Sequence, residues 1–251
     1  MDKAIGFELS ADMAFFRRGY TTTSTLTYSF PPKTVLSGLM AGILGKRDGY
    51  RESFNASRIA VVITSPLRKL LLKQNMLYIK GEEIKSYNNS EKRLQVPIQY
   101  ILHPRYRVYF HADRDLYGQL KLMLENRNSL YTPYLGVANC IANITYLGEF
   151  TVSEKKVNET PAMIDSIIPL DVVPLASIDF ITANVELRVV RERVPVSMDD
   201  SRVVSRYSDI IFLEHGPGWN GNDHSPRLVM TSGSYWEVMS SSGVKENVEF
   251  F

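Results

Sequence analysis

The most regular stretch of the chain is Arg105-Tyr106-Arg107-Val108-Tyr109-Phe110-His111, in which side chains alternate with period two. This alternation predicts a strand with Tyr106, Val108 and Phe110 on one face. Residues 113–126 follow, with apolar side chains at helical spacing, and residues 141–150 are apolar enough for a second strand. The stretch and the residues after it therefore predict a β-α-β unit.

The N-terminal part of the chain repeats this order. Residues 4–10 alternate as a half-buried strand, and a proline pair opens a helix that runs from Pro31 to Gly45. The β-branched run at residues 58–65 predicts a buried strand. Together the elements are in the order β-α-β-β-α-β, which is typical of a ferredoxin-like or RNA-recognition-motif (RRM-like) domain.

Three further features extend this plan. Residues 67–80 fit a strand or a short helix, and the polar residues 81–95 fit a loop or a protruding hairpin. Prolines punctuate short strand-like runs after residue 150, at 181–191, 210–213 and 227–230. We therefore predict an α+β chain, with a ferredoxin-like domain at residues 1–150 and a β-rich subdomain at residues 151–251 packed on it.

The net charge of +2 conceals a strong asymmetry. Residues 1–128 contain 20 Lys and Arg against 11 Asp and Glu, whereas residues 129–251 contain 9 against 16. Either the basic half meets a polyanion, or the two halves attract each other and the asymmetry is internal. The single cysteine, and the lack of an apolar signal segment or membrane-spanning stretch, favour the cytoplasm and no membrane partner.

The loop from Phe15 to Ser24 is the best candidate for a binding site. It combines two arginines, one glycine, three aromatic residues and four consecutive hydroxyls. Arginine and hydroxyl groups suit phosphates and ribose 2′-hydroxyls, and aromatic rings suit stacking on unpaired bases. The alternative is a solvated polar loop that joins a strand to a helix.

Other sites in the sequence are weaker. Gly38, Gly42 and Gly45 lie inside a helix rather than in a nucleotide-binding loop, so we expect another backbone to pack closely there. The second face of strand 105–111 lacks the RRM consensus and is expected to pack on the C-terminal half. The segment 215–224 carries two histidines but no third convincing ligand, so neither a metal nor a cofactor is expected. His111 with Tyr134 is a conceivable ribonuclease pair.

Two stretches resemble the Cas5 family of CRISPR-associated proteins, in the form found in type I-B systems. The first is FRRGYTTTSTLTYSFPPKTVLSGL, residues 16–39, with its continuation to Gly45, and the second is YTPYLG, residues 131–136. The resemblance implies a ferredoxin-like domain with a protruding hairpin and a β-rich C-terminal part. It also implies a Cascade subunit that binds the 5′ handle of the crRNA and contacts the backbone subunit, the large subunit and target DNA near the PAM.

The resemblance also implies which residues touch RNA. The helix after the proline pair would present its N-terminus to a phosphate, with Lys33 beside it. The expected RNA-binding residues are Phe16, Arg17, Arg18, Tyr20, Thr22, Thr23, Ser24, Lys33, Tyr131, Thr132 and Gly136. Three basic residues of the hairpin would add contacts: Lys85, Lys92 and Arg93.

Three functions remain open at this stage. The first is a guide-RNA-capping subunit without catalytic activity. The second is a metal-independent endoribonuclease that matures crRNA, as in one subtype of the family. The third is a ferredoxin-like adaptor that contacts only protein. No Tyr/Lys/His set of the processing members aligns with this sequence, which favours the first.

Overall fold

The computed structural model describes residues 2–21, 25–77, 93–180, 188–214 and 227–251. Strands dominate, with 49% of the described residues in strands and 15% in helices, so a mixed class of helices and strands is confirmed. The helices are α1 Lys33–Leu44, α2 Arg51–Ala56 and α3 Arg114–Glu125. The strands are β1 Asp2–Ser10, β2 Met13–Ala14, β3 Arg58–Ile63, β4 Arg68–Leu77, β5 Arg93–Leu102, β6 Arg105–His111, β7 Asn143–Lys156, β8 Ala162–Ile164, β9 Ile168–Pro169, β10 Ile178–Asp179, β11 Val189–Met198, β12 Val204–Leu213, β13 Leu228–Met230, β14 Ser234–Ser240 and β15 Lys245–Val248.

The central sheet has the strand order β15-β14-β7-β1-β6-β3, and every neighbouring pair is antiparallel. The four strands β1, β3, β6 and β7 and the helices α1 and α3 are the elements that the sequence predicts. Helix α1 contacts α3, α2 and β11. Asp113 caps α3, because its Oδ1 accepts from the Leu116 amide at 2.9 Å. These elements place the main hydrophobic core between the sheet and the helices.

The centre of β6 is buried on both faces. Tyr106, Val108 and Phe110 belong to the main core with the helices. On the other face, the Tyr109 ring packs edge-on against Phe150, with centroids 4.9 Å apart. Its hydroxyl donates to Glu246 Oε2 of β15 at 2.7 Å. The expectation that this face packs on the C-terminal half is confirmed, so it offers no open platform for bases.

Residues 67–80 fit either a strand or a short helix in the sequence, and the described part, up to Leu77, contains strand β4. β4 pairs antiparallel with β5 along its whole length, from Arg68 opposite Leu102 to Leu77 opposite Arg93. β5 was not predicted from the sequence, because Pro97 lies in its middle and proline has no backbone N–H to donate to a paired strand. Residues 78–92, including Lys85 and Lys92 of the predicted hairpin, lie outside the described residues, whereas Arg93 begins β5.

The C-terminal half shares the central sheet with the N-terminal half. β7 crosses residue 150, and β14 and β15 extend the sheet beyond it. Phe251 exchanges backbone hydrogen bonds with Ile59 of β3, at 3.0 and 3.3 Å, so the last residues return to the opposite edge. The runs predicted at 210–213 and 227–230 lie in β12 and β13. The first part of the run at 181–191 lies outside the described residues.

Glu249, just before this return, is 1% exposed, and among the described residues its Oε1 has no hydrogen-bond partner. Burial, and secondarily Glu154, raises its pKa to about 8. The folded state therefore holds the proton more tightly than the unfolded state does. Stability from this group is fully present below the ordinary carboxyl pKa and falls as pH rises towards 8.

Glu249→Gln should therefore flatten the pH dependence of stability. We expect the variant to gain about 1–3 kcal/mol over wild type at pH 8 and almost nothing at pH 4, because the amide carries no charge to desolvate. The measurement is urea unfolding across this pH range. Glu159→Gln, at an exposed carboxylate, is the control, and equal pH profiles for wild type and Glu249→Gln would contradict the account.

Candidate nucleic-acid interface

A buried carboxylate on β11 organises the N-terminal loop. Glu192 has a side chain 5% exposed, and its Oε1 lies 2.5 Å from Arg18 Nη2 and 3.6 Å from Lys69 Nζ. Its two oxygens also accept from the amide and the hydroxyl of Ser29, at 2.9 and 2.7 Å. The Glu192 cluster (Arg18, Ser29, Lys69 and Glu192) therefore joins the loop, the approach to α1, strand β4 and the C-terminal half.

Arg18 makes several contacts within the fold. Its Nε donates to the Thr27 carbonyl at 3.0 Å, and its Nη1 donates to the Tyr20 hydroxyl at 3.0 Å. Its guanidinium also lies over the Tyr28 ring, 5.5 Å from the centroid. That Arg18 binds RNA stays a prediction, and the structure sets a cost on it: if Arg18 turned towards a ligand, Glu192 would keep only Lys69 and Ser29 as partners.

The rest of the loop divides into buried and exposed residues. The Phe16 ring is 1% exposed and packs near Tyr106, so Phe16 is a core residue and not a stacking platform. Arg17 is exposed and makes no ion pair with any described residue. Tyr20 is 64% exposed. The described part of the loop thus presents one guanidinium and one ring to solvent, and Thr22, Thr23 and Ser24 lie outside the described residues.

Backbone hydrogen bonds hold this loop in place. The amide of Arg18 donates to Leu26 at 2.9 Å, and the amide of Tyr28 donates to Phe16 at 2.8 Å, so the two arms pair. The amide of Thr25 also donates to Pro97 of β5 at 3.1 Å. Arg17 therefore lies on a loop whose two arms are held by backbone hydrogen bonds to each other and to the middle of β5.

Lys33 does not lie at a phosphate site. It is 2% exposed, and its Nζ donates to the carbonyls of Asn55 and Ser57, at 3.2 and 2.6 Å. Burial, and secondarily Arg206, lowers its pKa to about 8. Pro31 and Pro32 are buried as well, so the N-terminus of α1 is interior. The expectation of a phosphate at this helix end is corrected: Lys33 instead caps the carbonyls at the end of α2.

The second family-like stretch meets the first through the backbone. The amide of Phe15 donates to the Leu135 carbonyl at 3.1 Å. Gly136 has φ +92°, and a Cβ there would lie 1.8 Å from the Phe15 carbonyl oxygen. Only glycine fits this close approach. The structure thus brings together two stretches that are more than a hundred residues apart in the chain.

A backbone segment contacts the end of α1, where the amide of Tyr131 donates to the Gly42 carbonyl at 3.2 Å, but it does not cover the Cα positions of Gly38 and Gly42. A Cβ on Gly42 would meet nothing within 4 Å, and one on Gly38 would only reach the Tyr50 hydroxyl at 4.0 Å. Gly45 is different, since it ends α1 with φ +72°. Gly38 and Gly42 line a cavity of about 590 Å³, together with Tyr131, Thr132 and Gly136. Tyr131 and Thr132 are exposed at this cavity.

Part of the charge asymmetry is internal. Arg18 and Lys69 pair with Glu192, and Arg51 pairs with Asp200 at 3.3 Å. Further ion pairs between the halves join Lys3 and Lys121 to Glu149 and Arg107 to Glu246. The attraction between the halves therefore accounts for these cations, and Arg17 is not among them.

The conceivable ribonuclease pair is not assembled. His111 Nδ1 donates to the Lys3 carbonyl oxygen at 2.8 Å, at one end of β1. Tyr134 pairs with Ile141, next to the residues that meet Ser10 at the other end of β1. At about 3.3 Å per residue, these ends are about 20 Å apart.

Among the described residues no cluster of three or more His, Cys, Asp and Glu could hold a metal ion.

No described helix is long and apolar enough to cross a membrane. Many solved structures are similar to the chain, and two of them have TM-scores above 0.5. The first, "CRISPR RNA-guided surveillance complex", has a TM-score of 0.53 at 13% identity, covering 85% of this chain and 90% of that chain. The second is a CRISPR protein from Archaeoglobus fulgidus, with a TM-score of 0.54 at 13% identity, covering 98% and 100%. At this identity they show the fold alone.

No curated protein matches the sequence. The model of the family described as CRISPR-associated protein (Cas_Cas5) matches residues 4–209. That match includes the loop at residues 16–27, called the braced loop below, the turn at Gly136 and most of the strands around them. The chain belongs to the Cas5 family of CRISPR-associated proteins.

Proposed function

We propose that this chain is the subunit of a CRISPR effector complex that binds and caps the 5′ handle of the crRNA. The observation that carries the proposal is the different environment of neighbouring loop residues: Arg18 is partly buried and paired with Glu192, while Arg17 and Tyr20 are exposed to solvent. The proposal makes Arg17 the phosphate contact and Tyr20 the ring on which a base stacks.

The loop that carries Arg17 and Tyr20 is already held in place before RNA binds, which favours binding. An arginine fork and an aromatic ring are the groups that bind the phosphates and bases of single-stranded RNA. Because the Glu192 cluster and the backbone pairing already fix the loop, RNA binding loses little conformational entropy there.

Family membership and one similar structure support the assignment. One similar structure is named as part of an RNA-guided surveillance complex. The strand order β7-β1-β6-β3 fits the ferredoxin-like topology, and the stretches at 16–45 and 131–136 favour a type I-B system. We further propose contacts with the large subunit, the backbone subunit and target DNA near the PAM. The β4–β5 ribbon exposes apolar side chains that fit a protein partner: Leu71, Met76, Leu77 and Leu94.

The proposed subunit has no catalytic activity of its own. An endoribonuclease without a metal needs a base and an acid on opposite sides of one ribose-phosphate. His111 and Tyr134 are about 20 Å apart on the geometry of β1, and Cys140 is buried. The alternative, that the chain itself matures precursor crRNA, therefore lacks an assembled pair among the described residues.

Arg17→Ala should weaken RNA binding by about 1–3 kcal/mol, since it removes one charge-assisted contact. It should also reduce the slope of log affinity against log salt by up to about one unit. Arg17→Lys should restore the slope more fully than the affinity, because lysine keeps the charge and loses the planar fork. The measurement is a salt titration of guide-RNA binding.

The control for this titration is Arg114→Ala, at an exposed arginine at the start of α3. It removes the same charge outside the loop. Equal loss of affinity and slope in Arg17→Ala and Arg114→Ala would mean that the loop has no special role.

Arg18→Ala should act on stability. We expect a loss of about 2–4 kcal/mol in the free energy of unfolding, because Glu192 stays buried without its main partner. Arg17→Ala should change stability by less than about 0.5 kcal/mol. Urea unfolding of both variants tests this contrast, and two equal losses would contradict it.

The protein alone should not cut RNA. Incubation with precursor repeat RNA in EDTA should leave the RNA intact, and His111→Ala or Tyr134→Phe in cells should leave the length of the crRNA unchanged. A single discrete cut that either substitution abolishes would establish the endoribonuclease instead.

A further inference from the structure

The cavity beside α1 lies outside the loop that carries the proposed function. One wall is the glycine face of α1, and the opposite wall is the turn that begins at Tyr131. The amide of Tyr131 donates to the Gly42 carbonyl at 3.2 Å, so helix and turn are held at a fixed spacing. At about 590 Å³ the space falls within the range of pockets that hold small organic ligands.

The side chains around this cavity are cationic and aromatic. Arg51 and Arg202 line it, with Tyr50 and Tyr131, and no Asp or Glu is among its described lining residues. The Arg51 guanidinium lies 4.7 Å from the centroid of the Tyr50 ring. Arg51 pairs with Asp200 through Nη1 alone among the described contacts, and that carboxylate is 64% exposed. The other N–H donors of this guanidinium thus have no described partner.

Arg202 is held in a conformation that non-glycine residues rarely adopt. Its φ is +62°, and it lies in a turn that Asp199 closes, with the Val203 amide donating to Asp199 Oδ1 at 2.8 Å. The amide of Arg202 itself donates to the Asp199 carbonyl at 3.0 Å. Backbone strain of this kind persists where surrounding structure maintains it, and it concentrates at ligand sites. This exposed arginine comes from the C-terminal half, whereas the rest of the cavity comes from the N-terminal half.

We infer that this cavity binds one unstacked nucleotide of a single-stranded RNA, with its base against the tyrosines and its phosphate at Arg51 and Arg202. The inference rests on the proposed function, and it names a second contact point beyond the braced loop. The bare backbone at Gly38 and Gly42 lets a flat base approach the helix more closely than any side chain would permit. The absence of carboxylates among the described lining residues suits a polyanion rather than a basic peptide.

The proposal is tested by filling the cavity. Gly42→Leu places a side chain in open space and replaces a helical glycine with a better helix former, so the variant should fold. Gly118→Leu is the matched control, because Gly118 lies in α3 and a Cβ there also meets nothing within 4 Å. Arg202→Gly is the second variant: it removes the cation and relieves the positive φ.

The probe is a single-stranded RNA oligonucleotide with one abasic residue placed at each position in turn, bound to the full chain. For wild type and Gly118→Leu, removal of one particular base should weaken binding about 5- to 150-fold. Gly42→Leu should bind the intact RNA more weakly and should lose this sensitivity at that position. Arg202→Gly should weaken binding and lower the salt dependence without loss of stability.

The inference is overturned if Gly42→Leu binds intact RNA like Gly118→Leu, or if the abasic profile is the same in all proteins. Arg17→Ala in the same assay separates the two proposals. Weaker binding by Arg17→Ala beside normal binding by Gly42→Leu rejects the cavity site and keeps the proposed function. Normal binding by both variants rejects both.

Discussion

The arrangement of this protein depends on a single buried carboxylate. Glu192 accepts from Arg18 and Ser29 and lies close to Lys69, so one side chain of β11 joins the N-terminal loop, the approach to α1 and the base of the hairpin. A glutamate with 5% exposure is tolerated only because these donors satisfy it. Removing any one of the donors would weaken the contact between the two halves of the chain.

This constraint explains how adjacent arginines serve different purposes. Consecutive residues of an extended segment point to opposite sides, so when Arg18 turns inward to Glu192, Arg17 turns outward. Glu192 holds Arg18 by an ion pair, and this contact also fixes the backbone from which the Arg17 side chain extends. Part of the opposite charge of the two halves is neutralised by ion pairs between them. A polyanion can then bind only where exposed cations lie outside these pairs.

The sequence predicts the β-α-β-β-α-β elements well, because period-two and helical spacings are local properties of strands 4–10, 58–65 and 105–111 and of both helices. It fails at β5, where Pro97 hides the strand. It also assigns Phe16 and Lys33 to the RNA, since residue type alone does not reveal burial. The cavity could not be predicted, because Arg202 and Tyr131 meet Gly42 only through the fold. One signal was present: glycines in a helix are costly, and here a Cβ on Gly42 would point into open space.

The most direct test of the central claim is photocrosslinking of the full chain to guide RNA that carries 4-thiouridine in its 5′ region, with the crosslinked peptides identified by mass spectrometry. The account predicts crosslinks in the braced loop at residues 16–27 and in the turn at residues 131–136. Crosslinks confined to the exposed face of α3, around Arg114 and Gly118, with none in the loop or the turn, would contradict it.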